Sequence, residues 1–152
     1  MPMLLGNIVF DAKPTAVPYN YRISYKVSQL CLIMYICGRG GACSLIKLHM
    51  ISFALFSHNN MKNLIEFANG KSTIPLVRFD PSVNKAITYA VAYGFVKRHK
   101  SNNFLLTNMG NKLVEQIKLV GDLMVTEISD LNMLSKNLTE GKIKDLIENW
   151  RY

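Results

Sequence analysis

Acidic residues are scarce in the first two thirds of this 152-residue chain, and their scarcity limits the chemistry available there. Residues 1–100 contain three acids, Asp11, Glu66 and Asp80, against twelve lysines and arginines. A hydrolase that uses paired carboxylates as acid and base would have few candidates to draw on. Residues 101–152 hold seven acids and six bases, so the basic excess of the chain belongs wholly to its first hundred residues.

The chain also has few of the groups that mark a metal or redox centre. Its three cysteines follow one another at six-residue spacing, which matches neither zinc ligands nor a redox motif, so we expect buried free thiols. Its three histidines are scattered, without an acid or cysteine at ligand spacing. We therefore predict no metal and no cofactor. The residues considered are Cys31, Cys37, Cys43, His49, His58 and His99.

Recognisable catalytic motifs are missing from the sequence. The glycine cluster at residues 38–41 is not followed by the Gly-Lys-Ser or Gly-Lys-Thr of a phosphate-binding loop, and we interpret it as a helix stop. No serine or cysteine belongs to a nucleophile motif with a base and an orienting group. We predict that the chain is not an enzyme and has no small-molecule substrate.

Long apolar runs and export signals are missing as well. The longest apolar run, Leu30 to Cys37, is too short to cross a bilayer. The first residues, Met1 to Gly6, carry no base ahead of their apolar part and make a poor secretory signal. We expect a cytoplasmic protein with no membrane partner.

What the sequence does contain is clearest at residues 80–107. Asp80 and Pro81 are suited to begin a helix, whose apolar positions then recur at helical spacing. Two apolar segments flank a polar stretch that is typical of a hairpin, and Thr107 is suited to cap a further helix. We predict a mainly α fold of the α+β class, a winged helix-turn-helix domain with a two-stranded wing at about residues 95–106.

Further elements are predicted on both sides of this pattern. They are a nearly all-apolar helix from about Ser24 to Cys37, a helix over 45–56 capped by Ser44, a turn at His58–Asn60, a short helix from Met61 to Ala68, and an extended connector or edge strand at 74–79. We divide the chain into an N-terminal arm (1–23), a winged-helix domain (24–120) and a C-terminal helical extension (121–152).

A stripe of apolar residues continues beyond Thr107 at spacings of three or four. We predict that its C-terminal part is uncovered by the domain and forms an interface with a second chain. The alternative is that the last helices fold back and complete the domain's own core. The candidate interface residues are Met124, Ile128, Leu131, Leu134 and Leu138.

The basic first hundred residues suggest an anionic partner, of which nucleic acid is the commonest. The helix that precedes the wing carries few side chains suited to base readout, whereas the wing carries cations that would contact phosphates. We expect at most non-specific DNA binding. The alternatives are that the charge only keeps the protein soluble and that the wing is basic only because wings are exposed. The candidate backbone contacts are Lys85, Lys97, Arg98 and Lys100.

Several motifs follow one another in a fixed order between about residues 25 and 120. They are Gly38-Arg39-Gly40, the helix around Leu45 to Phe56, Val77-Arg78-Phe79, the helix with Val83, Ala86-Ile87 and Tyr89, Gly94-Phe95-Val96, and Phe104-x-Leu106-Thr107-x-x-Gly110. In this order they resemble the middle components of bacterial ABC-three-component systems, including Lamassu-type anti-phage defence. The last motif is shared with other winged-helix families, among them the PadR and MarR regulators.

The resemblance implies a non-catalytic bridging subunit. Such a subunit links an SMC- or Rad50-like ATPase to an effector, often a nuclease, in a complex that senses abnormal DNA. The alternative function is a DNA-binding transcription regulator, a PadR- or MarR-like homodimer that pairs through its C-terminal helices.

Overall fold

The computed structural model describes residues 3–5, 8–10, 19–100 and 102–150, and the side chains of residues 22–100 and 102–149. In this part of the chain helices dominate and two small antiparallel sheets are present, so the predicted mainly α, α+β class is confirmed. The elements are β1 (Met3–Leu5), β2 (Ile8–Phe10), α1 (Tyr19–Cys37), β3 (Ala42–Ser44), α2 (Leu45–Ala54), α3 (His58–Ala68), α4 (Pro81–Ala92), β4 (Val96–His99), β5 (Asn103–Leu106), α5 (Asn108–Val120), α6 (Val125–Leu134) and α7 (Glu140–Trp150).

The long helix α1 forms the centre of the core. Its residues from Val27 to Cys37 are almost all buried, and α2, α4, α5 and α6 pack around it. A helix that is apolar on every side needs cover on every side, which explains why so many elements contact it. The helix begins at Tyr19, five residues before the predicted start at Ser24. The prediction missed this first part because its residues carry no apolar periodicity.

The N-terminal strands β1 and β2 pair with each other, with Met3 opposite Phe10, and the backbone of β2 lies against α1. The predicted boundary of the arm at residue 23 cuts through helix α1, so the end of the arm belongs to that helix. The remainder of the arm, apart from β1 and β2, lies outside the described residues.

A three-stranded antiparallel sheet has the order β3-β5-β4. The hairpin predicted at residues 95–106 is confirmed, with Val96 opposite Leu106. Strand β3 was not predicted, and it places Cys43 opposite Phe104. Three residues are too few for an alternating pattern to be visible in the sequence.

Side-chain caps begin four of the helices, and Ser44, Asp80 and Thr107 among them are caps predicted from the sequence. The oxygen of each cap accepts a hydrogen bond from a backbone N–H of the first turn, which otherwise has no partner. The pairs are Ser44 Oγ with Lys47 N (3.1 Å), Asp80 Oδ1 with Ser82 N (2.9 Å), Thr107 Oγ1 with Gly110 N (3.1 Å) and Thr139 Oγ1 with Lys142 N (3.2 Å). The caps fix where the helices on either side of the hairpin start.

The motif that ends the hairpin has a packing explanation. A Cβ atom at Gly110 would overlap the carbonyl oxygen of Phe95 and come within 3.0 Å of Leu106 Cγ. The Thr107 hydroxyl donates to the carbonyl of Gly94 at 2.6 Å while it caps α5. Helix α5 therefore begins in direct contact with the hairpin, and only glycine fits at its third residue.

Helix α3 begins earlier than predicted. Ser57 Oγ accepts from Asn60 N at 3.0 Å, so the polar residues predicted as a turn at His58–Asn60 form the exposed first turn of the helix. After α3, residues 71–80 contain neither helix nor strand. The stretch predicted as extended at 74–79 is thus a connector between α3 and α4.

The prediction that the C-terminal stripe is uncovered is wrong. Three of its side chains are fully buried, Met124 is 9% exposed, and the half-buried Ile128 packs against the same core. Helix α6 lies against α1 and α3, because the all-apolar surface of α1 needs a cover that the hairpin and α5 do not provide. The fully buried residues are Leu131, Leu134 and Leu138. The last helices complete the chain's own core, as the alternative interpretation held.

Candidate functional site

The four predicted phosphate contacts are all exposed. Lys97 and Arg98 lie on β4 and Lys100 in the turn that follows, with the Arg98 guanidinium 5.6 Å from the centre of the Phe104 ring. Lys85 lies on α4 and lines a cavity between α1, α2 and α4. Lys97 and Arg98 are neighbours on one strand, so they point to opposite faces of the sheet, and Lys85 belongs to another feature.

The exposed face of α4 is poor in groups that read bases. Asn84, its one amide, is 3.2 Å from the buried ring of His49, and the Thr88 hydroxyl donates to the carbonyl of Asn84 at 3.0 Å. Arg, Lys, Asn and Gln side chains provide most direct contacts to base edges in the major groove. The structure thus commits part of this face to internal hydrogen bonds.

Three lysines donate hydrogen bonds to backbone carbonyls at the ends of helices. Lys47 Nζ donates to the carbonyl of Cys37 at 2.8 Å, Lys136 Nζ to that of Ile36 at 3.4 Å, and Lys142 Nζ to that of Ala68. These carbonyls lie at the C-terminal ends of α1 and α3, where a cation is favoured by unpaired oxygens and by the helix dipole. These lysines therefore stabilise helix ends, and of the three only Lys47 belongs to the basic first hundred residues.

The cysteines are buried free thiols, as predicted. Burial raises the pKa of Cys31, Cys37 and Cys43 to about 12 each, since the thiolate loses its hydration. A thiol that stays protonated is neither a nucleophile nor a good metal ligand. Among the described residues no group of three or more His, Cys, Asp or Glu side chains is placed to hold a metal ion.

A cavity of about 790 Å³ lies between the N-terminal half of α1, the end of α2 and the start of α4. Three cations, Arg22, Lys26 and Lys85, line it together with apolar side chains such as Leu55 and Phe56. Of these three cations, only Lys85 was predicted from the sequence to belong to a binding surface. The elements that carry them are far apart along the chain, and only the packing of α4 on α1 and α2 brings them together.

Lys26 is held in place by several groups of this cavity. Its Nζ donates to Ser52 Oγ at 2.8 Å and to Gln29 Oε1 at 3.0 Å, and it lies 5.1 Å from the centre of the Phe56 ring. Burial lowers the pKa of Lys26, and the charge of Asp80 opposes this effect. A partly desolvated ammonium held by neutral groups attracts an anion more strongly than a surface lysine does.

A second cavity of about 480 Å³ adjoins the first and shares Ser52, Phe56 and Pro81 with it. Arg78 and Phe79 line its outer part. The Phe56 and Phe79 side chains are 68% and 59% exposed, which is unusual for phenylalanine. We call the two cavities together the basic groove, lined by Arg22, Lys26, Phe56, Arg78, Phe79 and Lys85.

His49 holds the wall of the basic groove in place. Its Nδ1 accepts from the backbone N–H of Asp80 at 3.3 Å, so Nε2 carries the proton that is donated to Asn84 Oδ1 at 3.2 Å. The ring packs against Phe79 with centroids 4.7 Å apart. One buried side chain on α2 thereby fixes the start of α4 and the end of the connector.

Asp80 is the acid of the groove wall. The hydrogen bond from the Ser82 backbone lowers the pKa of its carboxyl against the opposing effect of burial, and the Ser82 hydroxyl and the positive charge of Lys26 act in the lowering direction. The carboxylate caps α4 through this bond. Its charge is thus engaged by the helix start.

None of the helices in the described part of the chain is long and apolar enough to span a membrane. Comparison with protein-family models, with curated proteins and with solved structures yields no significant match.

Proposed function

We propose that the chain is a non-catalytic docking subunit with a winged-helix body, which bridges an SMC- or Rad50-like ATPase and an effector in a bacterial anti-phage defence complex. The order of elements supports the winged-helix assignment, because α4 leads directly into the β4–β5 hairpin and β3 adds a third strand to it. The motifs between residues 38 and 110 support a place among the middle components of ABC-three-component systems. Such a subunit would act in the cytoplasm.

The connection between α2 and α4 favours docking over sequence-specific DNA reading. In a helix-turn-helix the two corresponding helices are joined by a turn of about three or four residues. Here residues 55–80 lie between them and include helix α3 and a connector. The inserted segment adds a surface beside α4 that a compact DNA reader does not need.

The observation that carries the proposal is the exposure of large apolar side chains along this inserted segment. Four of them are 59–69% exposed, although the core of the same chain is well packed. Single exposed apolar residues are ordinary, whereas several within one short segment indicate a contact surface. The four residues are Phe56, Ile74, Leu76 and Phe79.

The test is purification of the tagged chain from its own cells, followed by identification of the proteins that copurify. We expect an ATPase with an SMC- or Rad50-like coiled coil and an effector encoded beside it. Replacing Ile74 and Leu76 by Asp should release both partners. Leu119→Asp should not, since Leu119 is 86% exposed on α5, outside the inserted segment. A homodimer that binds a defined operator and no ATPase would overturn the proposal.

A DNA-binding regulator is the second candidate, and the exposed cations of the hairpin favour it. Lys97, Arg98 and Lys100 are placed as phosphate contacts of a wing would be. A homodimer through the C-terminal helices is less well supported, because Leu131 and Leu134 are buried in the chain's own core. We therefore propose that the docking subunit contacts DNA at most non-specifically, through the hairpin.

A further inference from the structure

We propose that the basic groove binds an acidic segment of a protein partner, an extended stretch in which aspartates or glutamates flank one large apolar side chain. The inference rests on the proposed function, since it specifies the chemistry of a partner that a docking subunit would engage. It concerns a surface distinct from Ile74 and Leu76, so the two can be tested apart.

The charge of the groove is one-sided. Arg22 and Lys26 lie in the first cavity and Arg78 in the second, so cations are present at both ends. Asp80 is the one acid among the described lining residues, and its carboxylate is already engaged in capping α4. A segment with carboxylates on either side of its centre would therefore meet a cation at each end.

Lys26 attracts a carboxylate more strongly than a fully hydrated lysine would. Its two hydrogen-bond acceptors, Ser52 Oγ and Gln29 Oε1, are neutral groups. A charge that is partly withdrawn from water and held by neutral acceptors gains more from an incoming anion than a fully hydrated charge does. An acidic side chain placed beside Nζ would offset that desolvation.

The middle of the groove is apolar. Leu55 and Phe56 line the first cavity and Phe79 the second, and the two phenylalanine rings are mostly exposed. Together the cavities provide more volume than one large side chain needs. Transfer of such a side chain from water into an apolar site strengthens binding by at least about tenfold, so one anchor gives a useful part of the affinity.

A protein segment fits this groove better than single-stranded nucleic acid. Base stacking requires an open aromatic face. The Lys26 ammonium lies over one face of the Phe56 ring, and the His49 ring contacts the Phe79 ring at a tilt of 55°, so one side of each ring is already occupied. An aliphatic or aromatic side chain needs no parallel platform, and it can use the ring edges that remain exposed.

The experiment measures the fluorescence anisotropy of a short labelled peptide, one phenylalanine flanked on both sides by aspartates, as the full-length protein is added. We expect saturable binding that weakens as salt rises. Replacing Arg22 and Arg78 by Glu should reduce the affinity about tenfold or more, since two attractions become repulsions. The matched control replaces Lys112 and Lys144 by Glu, which makes the same change in net charge at exposed positions on α5 and α7 and should leave binding unchanged.

Two further peptides decide whether the anchor matters. A peptide with alanine in place of the phenylalanine should bind at least about tenfold more weakly. A peptide with lysines in place of the aspartates should not bind. Equal binding of the alanine peptide, equal effects of the groove and control variants, or tighter binding of a labelled oligothymidylate at the groove would each overturn the proposal.

The outcome is separable from that of the proposed function. If the Arg22→Glu, Arg78→Glu variant still copurifies with the ATPase and the effector while Ile74→Asp, Leu76→Asp does not, the docking function stands and the groove is not its contact. If the peptide binds in the groove but no ATPase copurifies, the acidic-segment site stands and the bridging function fails. Circular dichroism of both variants should match that of the parent chain, because all four residues are exposed.

Discussion

Gly110 shows how strongly one residue can constrain this fold. A side chain there would collide with the backbone of Phe95 and with Leu106, and both belong to the rigid junction of hairpin and α5. Gly110→Ala is expected to lower the free energy of unfolding by about 1–3 kcal/mol, measured by urea denaturation.

Gly141→Ala is the matched control for that substitution. A Cβ at Gly141 meets only Thr139 Oγ1, at 3.9 Å, so we expect unchanged stability or a gain of up to about 1 kcal/mol from the better helix former. Equal losses from the two substitutions would show that glycine is needed for some reason other than the close approach.

Asp80 gives the fold a pH dependence with a definite sign. Its pKa is lowered in the folded protein, chiefly by the Ser82 backbone hydrogen bond, so its contribution to stability is complete above the ordinary value of 3.8. The contribution is lost as the pH falls from there through the lower folded pKa. Asp80→Asn keeps a capping oxygen without the charge, so it should lower the melting temperature at neutral pH and flatten its decline in acid. A decline as steep as that of the parent chain would contradict this role.

At this scale the sequence predicted backbone roles better than side-chain roles. Asp80, Thr107 and Ser44 were recognised as caps because capping depends on residue type and on the few residues that follow. The buried positions of Lys47 and His49 were not foreseen. Their partners, Cys37, Asp80 and Asn84, belong to other elements, and a single sequence does not show which elements meet.

Helix α6 is a part of the core, and its buried residues should be intolerant of change. Leu134→Ala is expected to lower the free energy of unfolding by about 2–5 kcal/mol, because Leu134 is fully buried and its helix packs against α1 and α3. Met133→Ala, at the adjacent position that is 62% exposed, should change it by less than about 0.5 kcal/mol. Thermal and urea denaturation measure both. A folded, stable Leu134→Asp protein would contradict the burial of this stripe.

The hairpin should tolerate loss of its charges. Replacing Lys97 and Arg98 by Gln, and Lys100 by Asn because its φ of 53° suits asparagine, should leave the melting temperature and the assembly unchanged. Any DNA binding should lose salt dependence, with a slope smaller by about 0.9 for each phosphate contact removed.

The control for the hairpin variant changes three exposed lysines on other elements. Replacing Lys62, Lys112 and Lys144 by Gln removes the same charge and should leave the salt slope as it is. If the hairpin variant left the complex, the protein contact would lie on the hairpin rather than on the inserted segment.

At the scale of elements, prediction succeeded where the signal was local. The α4–hairpin–α5 unit combines a cap, two short strands and a second cap within about thirty residues, so neighbouring residues determine it. Strand β3 and the early starts of α1 and α3 were missed, because short or polar segments carry no periodic pattern. The C-terminal stripe was recognised as apolar, but its partner was predicted to be another chain. The sequence does not show that α1, a hundred residues earlier, presents the surface it covers.

At the scale of the whole molecule, the basic groove was not predicted because it belongs to no single element. Arg22 lies on α1, Phe56 just after α2, and Arg78 and Phe79 before α4. Each has an ordinary local environment in the sequence. Their proximity depends on how α4 packs on α1 and α2, with His49 as a buried link.

The late cover of α1 has a consequence for synthesis of the protein. The contacts that close the core and cap the end of α1 join residues 94 and 100 positions apart, Cys37 with Leu131 and Ile36 with Lys136. On the ribosome, this helix therefore emerges early, and part of its buried surface stays uncovered until the last quarter of the chain has been synthesised. We expect chains released from ribosomes stalled before residue 131 to aggregate more readily than the full-length protein, because the apolar surface that α6 covers stays exposed in them.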